Sequence, residues 1–266
     1  MRPARAFLPP LAALFALVAP PMEAGPLEGV KAEVFILGEV HDNPAHHRVQ
    51  AEAVADIAPR ALVFEMLTPG QVGRAAGVAR GEAEAFDWAG GGWPDFAMYH
   101  PILAAAPKAV IYGAAVPRDA SRAAMEAGVV QSFGNAAGLY GLTGEIDTEQ
   151  LAERLNLQLA AHCGAMPPEL MPGMVEVQRL RDATLARVAL LALAETGGPV
   201  VVIAGNGHAR RDWGVPSYLA RVAPGVAVFV LGQGEDGDVP DGGFDMVLDA
   251  PAAERDDPCA VFEQAR

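Results

Sequence analysis

Residues 33–50 read EVFILGEVHDNPAHHRVQ, and the architecture follows from how this stretch divides. Its first six residues lack the apolar–polar alternation of a half-exposed strand. A short continuous apolar strand is buried on both faces, as in a parallel sheet. Gly38 then lets the backbone turn sharply. Asn43 suits a helix N-cap and Pro44 the first helical position, so 45–57 reads as a helix. Strand, turn and helix in this order make one repeat of an α/β protein.

Working outward, the same kind of apolar run recurs at 61–66, 109–114, 200–207, 226–232 and 245–250. Helix-like stretches lie between, at 69–80, 97–106, 119–130, 147–162, 174–195 and 216–222. The alternation predicts an α/β fold with a mostly parallel central sheet flanked by helices. The segment from Tyr112 to Val200 is too long for one crossover and predicts a helical insert, about 113–199, before the fourth strand. Within it, CGAMPPELMPGM (163–174) reads as a break between two long helices. GQGEDGDVPDGG (232–243) reads as a surface loop, and residues 252–266 as a polar tail that frays.

Composition narrows the function classes. The chain of 266 residues is 52% hydrophobic and 20% charged, as packed globular proteins are. Its net charge of −14 repels phosphate backbones, so nucleic acid is excluded as a partner. Arg2 and Arg5 precede the apolar run Phe7–Ala19, and residues 1–24 read as an export signal. That run is too short to span a membrane comfortably, and no second long apolar run follows. No cysteine stands near the expected cleavage site for a lipid anchor. The mature chain, a single domain over 25–251, is therefore expected in the periplasm or secreted. Cys163 and Cys259 could pair in such a compartment, although spacing alone does not test their geometry.

In open parallel sheets ligands bind beyond the carboxyl ends of the strands. The first strand is followed by Gly38-Glu39-Val40-His41-Asp42-Asn43, the second by Glu65, and the fourth by Gly205-Asn206-Gly207-His208-Ala209-Arg210. Two glycine-to-histidine turns and a lone glutamate thus point to one edge. Glu39, His41, Glu65 and His208 are the candidates for catalysis, and His41 and His208 for metal ligation. His46 and His47 fall in a first helical turn, where the helix dipole favours neutral imidazole, the form that binds metals or accepts a proton. Gln178, Arg181, Asp182 and Leu185 share one helix face, placing three polar groups on a stripe that leads into an apolar run. WAGGGWPDFAMYHP (88–101) offers Trp88, Trp93, Phe96 and Tyr99 as a packed loop or an aromatic wall.

Five pieces in order, GEVHDNPAHHRVQ, FEML, GWPDFAMY, HCGAMPPELMPGMVEVQRLRDATLA and GNGHARRDWGVP, resemble the ChaN-like haem-binding proteins of the Tiki/TraB/erythromycin-esterase group. The resemblance runs from about residue 30 to 220. It implies an α/β fold with a helical protrusion that binds haem, and a role in iron or haem acquisition outside the cytoplasm. It implies a pocket built from the two turns and the glutamates. His46, His47, Trp93, Tyr99, Gln178, Arg181, Asp182, Asn206 and Arg210 are then the candidate cofactor contacts. Tyr99 and Tyr140 are candidate iron ligands, and Arg181, Arg210 and Arg211 candidate partners of the propionates. The insert would be a mobile cover over a flat apolar site. A homodimer and an outer-membrane haem receptor stand open as partners. The related hydrolases suggest the alternative, a periplasmic hydrolase. It would hold a divalent metal on His41 and His208, or use a histidine as general base supported by Glu39 or Glu65.

Overall fold

Six strands make one wholly parallel sheet among the residues described by the computed structural model, namely 25–75, 82–257, 259 and 260. They are β1 (Val34–Leu37), β2 (Ala61–Phe64), β3 (Val110–Gly113), β4 (Val200–Ile203), β5 (Val228–Glu235) and β6 (Met246–Ala250), in the order β3-β2-β4-β1-β5-β6. β1, β2 and β4 are buried along their whole length, as continuous apolar runs require. β3 and β6 are edge strands and only partly covered, so burial on both faces does not extend to them. The expected export signal, residues 1–24, lies outside the described residues, as does 76–80 of the expected helix 69–80.

Each face of the sheet carries its own core. Val34 and Ile36 of β1 point into one, with Val63, Val200 and Val202; Phe35 and Leu37 point into the other, with Leu62, Phe64 and Val201. The second face is covered by α1 (Pro44–Ile57) and α3 (Phe96–Ala105), joined by Trp88 and Tyr99. α2 (Pro69–Arg74) lies beside β3. The first face is covered by α7 (Met171–Thr196) and α9 (Val215–Val222). On α7 the small residues Ala183, Ala186, Ala189 and Ala192 are fully buried, which brings the helix close to β2 and β4.

That placement corrects the reading of residues 113–199 as a mobile cover. α7 is the crossover helix itself and a layer of the core. α4 (Arg118–Ala127) and α5 (Val129–Phe133) pack on it. The expected single helix 119–130 divides at Gly128, whose φ of 85° no helix accepts. α6 (Thr148–Ala161) packs on α7 and, unlike α4 and α5, contributes no residue to the buried apolar clusters. The break between α6 and α7 is shorter than expected, because Pro172 and Gly173 already belong to the first turn of α7.

Two further expectations fail for physical reasons. The first third of 232–243 is strand: β5 runs through Gly232 and Gly234, and Gln233 is buried, donating to Gly38 O at 2.7 Å and His46 O at 3.2 Å. Gly232 is there for close approach, since a Cβ would lie 2.8 Å from the Phe244 ring. The tail is tied down as far as it is described. Arg255 pairs with Glu235 and Asp42, and Cys259 forms a disulfide with Cys163 just beyond α6. No helix among the described residues is long and apolar enough to cross a membrane.

Candidate functional site

The strand order sets the carboxyl ends of β2, β4 and β1 side by side, and Phe64, Ile203 and Leu37 lie level across them. Main-chain bonds carry the pairing beyond the strands: Glu65 N–H donates to Ile203 O at 3.1 Å, and Asn206 N–H to Glu39 O at 2.9 Å. The second turn is itself a single helical turn, α8 (Asn206–Ala209). Its leading glycine makes room, because a Cβ on Gly205 would sit 2.9 Å from His41 Nε2.

An alternating chain of carboxylates and imidazoles results. The Tyr99 hydroxyl and His41 Nδ1–H both donate to Glu39 Oε1, at 2.8 and 2.7 Å. His41 Nε2 stands 3.9 Å from Glu65 Oε2. Glu65 Oε2 accepts from the Gly205 amide at 2.8 Å, and Glu65 Oε1 faces His208 Nε2 at 3.2 Å. His208 Nδ1 closes on Asp182 Oδ1 at 2.6 Å, so α7 supplies the last member. His41 is the exposed link, with 32% of its side chain open; the carboxylates and His208 are 8% or less.

Burial works against each charge here; the neighbours overrule it at His208, Glu65 and His41 but not at Asp182. Burial pulls the His208 imidazole down, but Glu65 and Asp182, one at each nitrogen, raise it to about 10. Burial pushes Glu65 up, but His208, His41 and the Gly205 amide hold it well below the usual carboxylate range. Asp182 is pushed up by its burial, against the pull of His208. His208 is therefore a fixed imidazolium between two carboxyl groups at neutral pH, not a free base. His41 is also raised, since Glu39 and Glu65 outweigh its burial.

A cavity of about 430 Å³ opens over this chain. Glu39, His41, Asp182, Asn206, His208, Arg210 and Gln178 reach it, as expected of a site at this edge. Others expected there do not. His46 and His47 are buried inside the protein. His46 Nδ1 accepts from Val40 N–H at 2.9 Å and its Nε2–H donates to Gly234 O at 3.0 Å, so both nitrogens tie the β1–α1 loop to β5. His47 Nε2–H donates to His41 O at 2.8 Å, and its Nδ1 lies 3.4 Å from Glu39 Oε2. Tyr99 lies behind Glu39, fully buried, and its phenol is pushed far above its usual range by burial and by that carboxylate. A phenolate ligand to iron is not available from such a position. Tyr140 is buried against Phe133 in the core.

The Trp93 ring lies tilted beside His41, ring centroids 5.0 Å apart, and with Arg181 and Glu65 it lines a separate small cavity. Arg211 is drawn off to Asp245. A metal on His41 and His208 finds no support. Both His208 nitrogens and His41 Nδ1 face carboxylates, and no group of three or more His, Cys, Asp or Glu among the described residues is arranged to hold an ion. Glu65 pairs with His208.

Sequence reasoning missed Arg154, Leu157, Gln158 and Ala161 of α6, and Trp213 after α8. The only available signal was the helical spacing of 154, 157, 158 and 161, which does not say what that face meets.

The family described as "Haem-binding uptake, Tiki superfamily, ChaN" matches residues 28–219, and the chain belongs to it. Among solved structures, the chain is similar to ChaN of Campylobacter jejuni, described under cofacial heme binding. That match has 18% identity, 79% of this chain and 86% of that one covered, and a TM-score of 0.55. It is also similar to an erythromycin esterase mutant in its open conformation, at 14% identity, with 77% and 70% covered and a TM-score of 0.44. At these identities the likeness to ChaN concerns the fold. No curated protein matches the sequence significantly.

Proposed function

We propose that this member of the haem-binding uptake family binds haem in the cavity over the β2–β4–β1 edge, with His41 Nε2 turned to the iron. One observation carries the reading. His41 lines the cavity and its Nε2 makes no hydrogen bond, while Glu39 holds the opposite nitrogen at 2.7 Å. A carboxylate on Nδ1–H fixes the tautomer, orients the ring and strengthens Nε2 as a donor. The cavity walls suit a porphyrin, with Leu157, Ala161, Val175 and Trp213 as apolar surface and Arg154 and Arg210 as cations. Export to an oxidising compartment agrees with the Cys163–Cys259 disulfide and the apolar N-terminal run.

Titrating haem while following the Soret band tests the proposal. Wild type should saturate at micromolar haem, and His41→Ala should lose the imidazole-type spectrum and bind about tenfold or more weakly. Because the His41 pKa is raised, protons compete for Nε2 at acidic pH, so affinity should rise as pH increases above 6.5. Absence of saturable binding by wild type, or an unchanged spectrum in His41→Ala, defeats the assignment.

The Glu39–His41 dyad favours a second reading, general-base hydrolysis. A carboxylate-oriented imidazole beside a water-accessible cavity can take a proton from water. Ester hydrolysis by haem-free protein that disappears in His41→Ala would promote this reading over the first.

A further inference from the structure

Arg154 is the one cation of the cavity with no anion in contact among the described residues. Its residue is 93% buried, at 7% exposure, and it lines both the main cavity and a neighbouring one of about 300 Å³ beneath α6. Its Nη2 donates to Gln150 Oε1 at 3.1 Å, one turn back on the same helix, and its Nε has no hydrogen-bond partner. The guanidinium lies 5.0 Å from the centre of the Trp213 ring. Arg210 approaches the same ring at 3.4 Å, but Arg210 is neutralised by a bidentate pair with Asp212, 2.6 Å at each nitrogen. Asp212 is held by Arg210 and Asp182 by His208, while Glu145 and Asp147 line only the neighbouring cavity and make no ion pair with Arg154. A buried guanidinium without a counter-ion is destabilising unless something supplies the charge. In a chain of net charge −14, sparing a carboxylate for it would have been easy.

We infer that Arg154 anchors a carboxylate group carried by the cavity's ligand, whose apolar body lies along Trp213, Leu157 and Ala161. The inference rests on the proposed function only in requiring a ligand in this cavity. Two parallel N–H···O bonds from a guanidinium to a carboxylate give both orientation and affinity. For haem the group is a propionate. Anchoring by Arg154 would fix which way the porphyrin enters, independently of the bond from iron to His41.

The experiment uses the full chain and iron-free protoporphyrin, which carries the two carboxylates but cannot bind His41 through iron, against its dimethyl ester. Wild type should prefer the dicarboxylate by about 10- to 100-fold, the range expected for hydrogen bonds to a charged group. Arg154→Gln should lose that preference and Arg154→Lys should restore part of it. Equal affinity of wild type for the two porphyrins, or a preference that survives in Arg154→Gln, overturns the anchor. A ligand-free measurement separates this outcome from failure of the haem reading. Arg154→Met removes a buried charge while keeping the apolar stem, so the empty protein should melt at the wild-type temperature or above it. A lower melting temperature marks Arg154 as structural and overturns the inference. If wild type binds neither porphyrin, the anchor is overturned, while the haem reading still stands or falls on the Soret titration, where iron can reach His41.

Discussion

His41 performs its proposed role only because Gly205 keeps clear of it. The Gly205 φ is −62°, a value any residue adopts, so the glycine is required for space and not for conformation. A methyl group at 2.9 Å from Nε2 would turn the imidazole out of the cavity. Gly205→Ala should therefore weaken haem binding by about tenfold while changing stability by only about 0.5–1 kcal/mol, because the part-exposed ring can yield toward solvent. Haem titration and thermal melting on the same variant check this; a variant that binds normally shows the ring had room. His208 is the opposite case. Its two nitrogens hold Asp182 and Glu65, so His208→Gln takes the imidazolium away from two buried carboxyl groups. A loss of about 3–5 kcal/mol is expected by denaturant titration. A loss under 1 kcal/mol would mean that the imidazolium contributes little.

α6 is the wall that separates the cavity from solvent, and it touches the rest of the fold mainly through α7. Its free end is clamped by Cys163–Cys259, which closes a loop of 96 residues, while Arg255 fastens the same tail to Glu235 and Asp42 beside the β1–α1 loop. Loop-closure entropy puts the stabilisation at up to ~4.7 kcal/mol for a loop of this size. Cys163→Ser with Cys259→Ser should lower the melting temperature by several degrees. It should also loosen ligand binding more than changes on α1 do, because Arg154 and Leu157 ride on the released helix. Melting and titration with and without reductant check both; a Cys-free protein with unchanged binding would show that α7 alone holds the wall.

For the whole molecule, the buried relay sets a pH window. His208 is raised from 6.5 to about 10 on folding, so its stabilisation is complete below pH 6.5 and is lost as pH climbs from there to about 10. Glu65 is lowered from 4.5, so its share is present above that value and disappears on acidification below it. The two overlap between pH 4.5 and 6.5, where stability from the relay should be greatest. Thermal melts from pH 4 to 10 should fall on both sides of that window, and His208→Gln should flatten the alkaline arm. A wild-type alkaline arm that is already flat counts against a charged His208. Ligand affinity should rise over pH values where stability declines, since His41 must lose its proton while His208 keeps its own.

The sequence by itself determined the local units. The apolar runs that begin at 33, 61 and 200 read as buried strands and Asn43-Pro44 as a helix start, so the α/β class and the polar residues just past the strands were legible. These signals arise from neighbours in the chain, through backbone sterics and hydrophobic period. Tertiary structure alone decided that β4 inserts between β1 and β2, which turns three separate strand endings into one chain of carboxylates and imidazoles. It decided that α7 is core and that α6 alone stands over the site. It also decided that His46 and Tyr99 support the site from within while Arg154 faces the cavity. A helical period shows which residues share a face but not what that face meets, and the same histidine reads alike whether its nitrogens end on a carbonyl, a carboxylate or open space.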